Sequence, residues 1–458
     1  MNSQEQYDLI VIGGGAGGSA CTQMVVDAGY RVAQIERDHL GGTCLNYGCD
    51  PTKTLLHIGQ QLQQAVRAER YGFPRERRSV DWAAVRQRVD EVQTAMRGGK
   101  PEEARQQMRS EGIDLVMGEA AFVSPHEIEV KGRRLYAQRF LIATGQEPLI
   151  PAIPGLRDTG FLTNREALYL PELPARLAVI GGGPLGTEFA QLFHRLDVAV
   201  SLFDAGDQIL PKDDPELASA LAQCLSDEGI DIRTGRRLKA VQPSSAGKEL
   251  LFGHGANEER FHCDELLLAL GRRPALQALQ LQVAGVATNK EGIVVDATLR
   301  TSVPHIWAAG DIATDYPFTH TAVAQSQYLA EAIFAEDPPP FDNRAIPWVT
   351  YTDPALAHVG QTEQELQEAG VEYRVAQAHF GDIPRAQITG ETAGQVKLLV
   401  GNDGHLLGGH ILASGAGDLI APIVLAMRND LPISALQSVV LPYPTMVQAL
   451  RQAARSLL

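Results

Sequence analysis

The chain has 458 residues, room for about three domains at roughly 100 to 200 residues each. Hydrophobic residues make up 44% and charged residues 21%, which excludes a disordered or fibrous protein. Lys plus Arg number 40 against 55 Asp plus Glu, a formal charge of −15 that repels nucleic-acid backbones and anionic membrane surfaces alike, so neither is expected as a partner.

The opening MNSQEQYDLIVIGG has no basic segment ahead of its strand-length apolar run, so a cytoplasmic protein without a secretory leader is expected. The longest apolar candidate for a membrane span, residues 419–427, is interrupted by Pro422 and falls short of the roughly 18 residues a span needs. Five Cys in so long a chain is no secreted disulfide framework. A disulfide here is expected to do chemistry.

The first motif runs from Tyr7 through a β-branched strand into Gly13, Gly15 and Gly18, a GxGxxG turn that opens a helix toward Asp27. Gly13 permits the tight turn, Gly15 lets a pyrophosphate approach the backbone, and Gly18 lets helix and strand pack closely. A second strand, residues 31–35, ends at Glu36, whose carboxylate is placed to bond a ribose diol.

Next comes Gly41-Gly-Thr-Cys-Leu-Asn-Tyr-Gly-Cys-Asp-Pro-Thr-Lys, with Cys44 and Cys49 five positions apart. The pair also fits inert buried thiols or half of a zinc site, but zinc would want a second pair at ligand spacing, and Cys21, Cys224 and Cys263 are scattered. Those three read as packing residues, and no resident metal is expected. Pro51 marks the start of a helix reaching about residue 70, with Cys49 near its N-terminal end. The helix dipole favours a thiolate there and Asp50 opposes it, a balance the sequence leaves open. Residues 52–70 and 81–108 look like amphipathic helices with solvated faces.

The turn pattern recurs as Gly181, Gly183 and Gly186, followed by a strand over 199–203 and Asp204. Gly13, Gly15, Gly18 and Glu36 each map onto the second copy with the same displacement of 168 residues, which defines two tandem Rossmann-type dinucleotide modules. Asp204 would bond a free 2′-hydroxyl and repel a 2′-phosphate, and residues 205–208 hold no Arg to offset it. NADH is therefore favoured, with NADPH not excluded.

At this point the chain resembles the flavoprotein disulfide reductases, the family of dihydrolipoamide dehydrogenase, glutathione reductase and mercuric reductase. The segment GGTCLNYGCDPTK is similar to the family's GGTCxNxGCxPSK, and Ala143-Thr-Gly, Leu270-Gly-Arg-Arg-Pro and Ala308-Ala-Gly-Asp311 resemble its further nucleotide-domain motifs. The resemblance implies an α/β fold with two Rossmann-type domains and an α+β C-terminal dimerisation domain. Residues 1–150 and 275–335 would bind FAD, 151–274 NAD(P), and 341–458, after the joint Asp337-Pro-Pro-Pro-Phe, would form the interface of a homodimer. It also implies that Cys44 and Cys49 form a redox disulfide, Cys44 as interchange thiol and Cys49 as the flavin-contacting charge-transfer thiol. Lys53 and Glu188 would pair near the flavin and Asp311 would contact its ribityl chain, with Gly42, Thr43, Ala143, Thr144, Gly145, Gly271 and Gly310 in the cofactor motifs.

The carboxy-terminal stretch departs from the common pattern. Where most thiol-disulfide members carry HxHPTxSE, this chain has Leu441-Pro-Tyr-Pro-Thr-Met-Val-Gln448, with Tyr443 for the His and Gln448 for the Glu. The last His in the chain is His410, so no shift of alignment restores the dyad. A positioned base contributes about 10²- to 10⁴-fold, and a phenol of unperturbed pKa about 10 is a poor substitute. The tail instead resembles that of mercuric reductases, where two thiolates bind a soft metal ion. Neither a closing vicinal Cys pair nor an N-terminal CxxC domain accompanies it, and Pro184 stands where many relatives have a Tyr over the nicotinamide pocket.

The expected function is electron transfer from NADH through flavin and the Cys44–Cys49 disulfide to a metal-ion or small-molecule disulfide acceptor, with Tyr443 of the other subunit lining the site. Dihydrolipoamide dehydrogenase or another low-molecular-weight disulfide reductase is the alternative within the same chemistry. A flavin-bound redox sensor with little turnover, or a quinone reductase or oxidase that bypasses the disulfide, is the alternative outside it.

Overall fold

The computed structural model describes residues 5–74, 80–245, 247–254 and 257–457, so residues 1–4 of the opening segment lie outside it. The chain divides into two compact units, one of residues 1–54, 83–149 and 271–342, the other of 55–82, 150–270 and 343–458.

In the first unit, strand Glu5–Ile12 pairs in parallel with Val32–Glu36 on one side and Arg133–Ile142 on the other. Asp114–Met117 extends one edge and Ile306–Ala308 pairs in parallel with Arg133–Ile142. The central strand is buried on both faces from Leu9 to Ile12, which is why it reads as a continuous apolar run rather than an alternating one. Helix Ala16–Asp27 follows it at once, placing the glycine turn at the carboxyl end of a parallel sheet where the strand order reverses, the usual ligand position in such sheets.

The second unit repeats this construction with strands Asp231–Arg233, Ala199–Phe203, Arg176–Ile180 and Glu265–Leu268, all parallel. Helix Pro184–Arg195 starts with Pro184 in its first turn, where the missing N–H costs nothing. The same unit holds an antiparallel five-stranded sheet built from Trp348–Thr350, Ala355–Gly360, Leu406–Ala413, Gln395–Gly401 and Tyr373–His379. A core including Val359, Leu398, Ile411 and Ile423 backs it, joined by Leu450 of helix Gln448–Arg455. Two Rossmann-type modules and an α+β carboxy-terminal part are thus present as expected.

Two helix boundaries differ from expectation. Residues 81–108 are not one helix but two, Trp82–Arg97 and Pro101–Ser110. Gly98 and Gly99 take positive φ between them, and Pro101 with Glu103, whose Oε2 accepts from Lys100 N at 2.6 Å, restarts the second, so the glycines end a helix that amphipathic periodicity alone would continue. The helix expected from about residue 52 spans Cys49–Arg67. Pro51 lies inside its first turn, where no backbone bond is lost, and Cys49 becomes its first residue.

Candidate functional site

The two glycine turns are built alike. Gly13 and Gly181 have φ of +121° and +111°, and a Cβ on either would strike a carbonyl, of Ala143 or Ala269 respectively. Gly18 and Gly186 abut the carbonyls of Gly13 and Gly181. By contrast, a Cβ on Gly183 would meet nothing within 4 Å, and on Gly15 only Gly42 Cα at 3.6 Å. That open space lies where a phosphate would approach. Each turn is tied to its carboxylate: Gly14 N donates to Glu36 Oε2 at 2.7 Å and Gly182 N to Asp204 Oδ2 at 2.6 Å. The second oxygens accept from Asp38 N at 2.7 Å and Gly206 N at 2.6 Å. A carboxylate oxygen has two lone pairs, so each retains capacity for a ribose hydroxyl.

In the first unit an open pocket is lined by Gly13, Glu36, Gly118, Thr144 and Leu279, among others. Thr144 Oγ1 is buried there without a hydrogen-bond partner, and a buried hydroxyl left so is costly unless a ligand completes it. These residues fit a dinucleotide.

The other expected cofactor residues converge on the same unit. Gly41 N bonds Gly14 O at 2.8 Å and Ala143 N bonds Ile12 O at 2.8 Å. Ala275 N bonds Gly145 O at 3.0 Å, and Leu149 N bonds Gly271 O at 3.0 Å. Gly310 N donates to Gln325 Oε1 at 2.7 Å. Arg272 binds three segments at once: Nη1 donates to Asp311 Oδ2 at 3.0 Å, and Nη2 to Thr43 Oγ1 at 3.3 Å and Gln146 O at 2.7 Å.

Cys44 lies on the short helix Gly42–Tyr47 and Cys49 begins the next. The two thiols are hydrogen-bonded to one another, and Cys49 Sγ also meets Thr319 Oγ1 at 3.3 Å. The Cys44 hydrogen bond is the largest influence drawing the Cys49 thiol down, to about 6, followed by the Thr319 hydroxyl and the Lys53 charge; burial and Asp50 oppose them. Asp50 therefore does not prevail. Cys44 moves the other way, because the bond to Cys49, burial and the Cys49 charge all favour its protonated form. The reduced pair thus holds one thiolate and one proton-bearing thiol.

The short helix is fixed from beneath. Buried Asn46 donates to Leu40 O at 2.9 Å and Gly42 O at 2.8 Å and accepts from Arg97 Nη2 at 3.0 Å. Gln93 Nε2 reaches Leu45 O at 2.8 Å and Asn46 O at 3.2 Å, supplying donors to carbonyls that so short a helix leaves without internal partners.

In the second unit Glu188 is buried and accepts from Tyr351 N at 2.8 Å. Tyr443 is 73% exposed and Val440 92%. Gln448 accepts from Thr445 N at 3.4 Å and begins the last helix rather than orienting an imidazole. Thr319, Arg272, Gln93 and Arg97 escaped the sequence reading. Arg272 lies inside a recognised motif, whereas Thr319 is 270 positions from the cysteine it touches and has no local signal.

Residues 7–326 match the family described as pyridine nucleotide-disulphide oxidoreductase, and residues 346–454 match its dimerisation domain. A mercuric reductase of Staphylococcus aureus is 34% identical over 99% of this chain and 83% of its own length. A dihydrolipoyl dehydrogenase of Thermus scotoductus is 35% identical over 98% of this chain and 97% of its own. The Cu(II) complex of RclA, an HOCl-induced flavoprotein disulfide reductase from Escherichia coli, superposes with a TM-score of 0.88 at 29% identity, covering 99% of this chain and 100% of that one.

The chain belongs to the pyridine nucleotide-disulphide oxidoreductases. It is an FAD- and pyridine-nucleotide-dependent enzyme of that family, and its dimerisation domain implies a homodimer. No helix among the described residues is long and apolar enough to cross a membrane.

The two kinds of glycine give separable outcomes. Gly183→Val should leave the melting temperature nearly unchanged, since its side chain enters open space, yet weaken ADP-ribose binding by about tenfold or more by occupying the pyrophosphate path. Gly181→Ala, driven into a carbonyl at positive φ, should cost about 1–3 kcal/mol of stability. Calorimetric titration and thermal melts of both variants check this; a Gly183→Val protein that binds ADP-ribose like the parent contradicts it.

Proposed function

We propose that the enzyme carries electrons from NADH through the Cys44–Cys49 couple to a soft metal ion, as its similarity to mercuric reductases suggests, with RclA's Cu(II) complex in support. The observation that carries this is the tail: Tyr443 and Gln448 stand where an acid–base dyad would, and Tyr443 is 73% exposed on a segment of the dimerisation domain.

In this reading residues 1–150 and 275–335 form the FAD part, 151–274 the NADH part and 341–458 the interface. Gly13, Gly15, Gly18, Glu36, Gly42, Thr43, Ala143, Thr144, Gly145, Gly271, Gly310 and Asp311 would hold FAD, which when bound relays an electron pair. Lys53 and Glu188 keep the flavin-side roles the family gives them. Gly181, Gly183, Gly186 and Asp204 would hold NADH.

The protein's part is to manage one proton. Cys49 is a thiolate near neutrality, while Cys44 retains its proton. Reducing a disulfide consumes a proton, NADH + H⁺ + RSSR giving NAD⁺ and two RSH, and the exchange through Cys44 needs a base to free its thiolate. Reducing Hg(II) releases one instead, NADH + Hg(II) giving NAD⁺, Hg(0) and H⁺. A soft cation displaces the Cys44 proton by coordination, so no imidazole is required. Tyr443 of the partner subunit would then line the acceptor site as a hydrogen-bond donor.

The test is NADH consumption by the flavin-loaded protein with a Hg(II)–thiol complex, beside lipoamide in the same buffer. Rapid turnover with Hg(II) and little with lipoamide is expected. The reverse result favours the dihydrolipoamide dehydrogenase reading, which the Thermus scotoductus relative keeps in view.

A further inference from the structure

Resting on the assignment of the second module to NADH, the surroundings of Asp204 extend the selectivity argument to a residue on another sheet. Arg236 N donates to Asp204 O at 2.7 Å and Gly235 N to Gly206 O at 2.7 Å. The loop after strand Asp231–Arg233 therefore lies against Asp204–Gly206, the edge where a dinucleotide's adenosine ribose comes. Two arginines border it, and both are engaged. Arg236 Nε donates to Glu259 Oε2 at 2.8 Å and its Nη1 to Thr234 O at 3.0 Å. Arg233 Nη1 bonds the other Glu259 oxygen and its Nε donates to Asp231 Oδ2 at 2.8 Å. The Arg233 guanidinium also lies over Phe203, the neighbour of Asp204, at 5.6 Å and over Phe261 at 5.2 Å.

Free guanidinium groups here would form the bidentate contacts that select a phosphate. We propose that Glu259 is a positioning residue for cofactor selectivity: by holding Arg236, while Asp231 also holds Arg233, it withholds the Arg236 guanidinium from a 2′-phosphate, so that NADPH is refused by Asp204 and Glu259 acting together. Asp204 contributes repulsion, and Glu259 contributes the removal of attraction.

The experiment compares the flavin-loaded parent protein with Asp204→Asn, Glu259→Gln and the double variant. Adenosine 2′,5′-bisphosphate and AMP are titrated by calorimetry, and kcat/KM is measured for NADPH and NADH. Asp204→Asn keeps an acceptor for Gly182 N while removing charge; Glu259→Gln is nearly isosteric. The double variant should gain bisphosphate affinity and NADPH preference by about tenfold beyond the product of the single effects, and the gain should shrink as salt is raised. Glu259→Asp, which retains the charge, should show no gain in the Asp204→Asn background. Purely multiplicative effects with normal AMP binding overturn this proposal alone, whereas a parent protein that binds neither AMP nor NADH overturns the module's assignment and this proposal with it.

Discussion

Replacing Cys49 with Ser is expected to lower acceptor turnover by about 10³-fold or more, the scale seen when a nucleophile of a catalytic unit is removed. Its causes are local. Cys49 opens a 19-residue helix, receives hydrogen bonds from Cys44 and Thr319, and feels the charge of Lys53. A serine hydroxyl in the same place is neither a thiolate near neutrality nor able to form the disulfide. The variant should retain flavin, because the cofactor pocket is lined by other residues, and the long-wavelength charge-transfer band of the reduced protein should vanish. Persistence of that band would sink the role given to Cys49. In the parent protein, alkylation of the reduced pair by iodoacetamide should speed up as pH rises through about 6, where Cys49 loses its proton. In Thr319→Val that rise should move to higher pH, since the Thr319 hydroxyl is one of the groups holding the thiolate.

The second large effect is a gain. Tyr443→His combined with Gln448→Glu should raise NADH-driven lipoamide reduction by about 10²-fold, the lower end of what a positioned acid–base group contributes. Tyr443 is 73% exposed in the single chain, so the substitution should disturb the subunit's own fold little, within about 0.5 kcal/mol. Glu at 448 can still accept from Thr445 N, as Gln448 does. Steady-state kinetics with lipoamide and with Hg(II), before and after the change, decide the matter. An unchanged lipoamide rate would show that the missing dyad is not what limits lipoamide turnover.

The glycine turns, Glu36, Asp204 and the cysteine pair were legible because each is fixed by a few neighbouring residues whose spacing carries the geometry. Even so, the reason Glu36 and Asp204 terminate their strands was only half visible. The sequence suggested a ribose ligand, whereas the structure adds that each carboxylate also ties its own turn through Gly14 or Gly182. The supports of the redox helix were not legible at all. Gln93 and Arg97 sit on a helix whose Gln, Arg and Glu content reads as a solvated face, and only the tertiary fold turns that edge toward Asn46. The break at Gly98 and Gly99 was written in the sequence and overridden by periodicity. The fate of Cys49 beside Asp50 needed three-dimensional neighbours, chiefly Cys44 and Thr319, before its direction could be decided.

The exposed tail has a consequence for how the enzyme behaves on dilution. Val440 is 92% and Tyr443 73% accessible in the single chain, and both lie within the dimerisation domain. Their burial by a second subunit would be a mass-action event, contributing free energy that depends on protein concentration. In the proposed reading, a dissociated subunit would lack the partner's tail at its acceptor site. Specific activity should therefore fall at low enzyme concentration, making assembly itself a control on turnover.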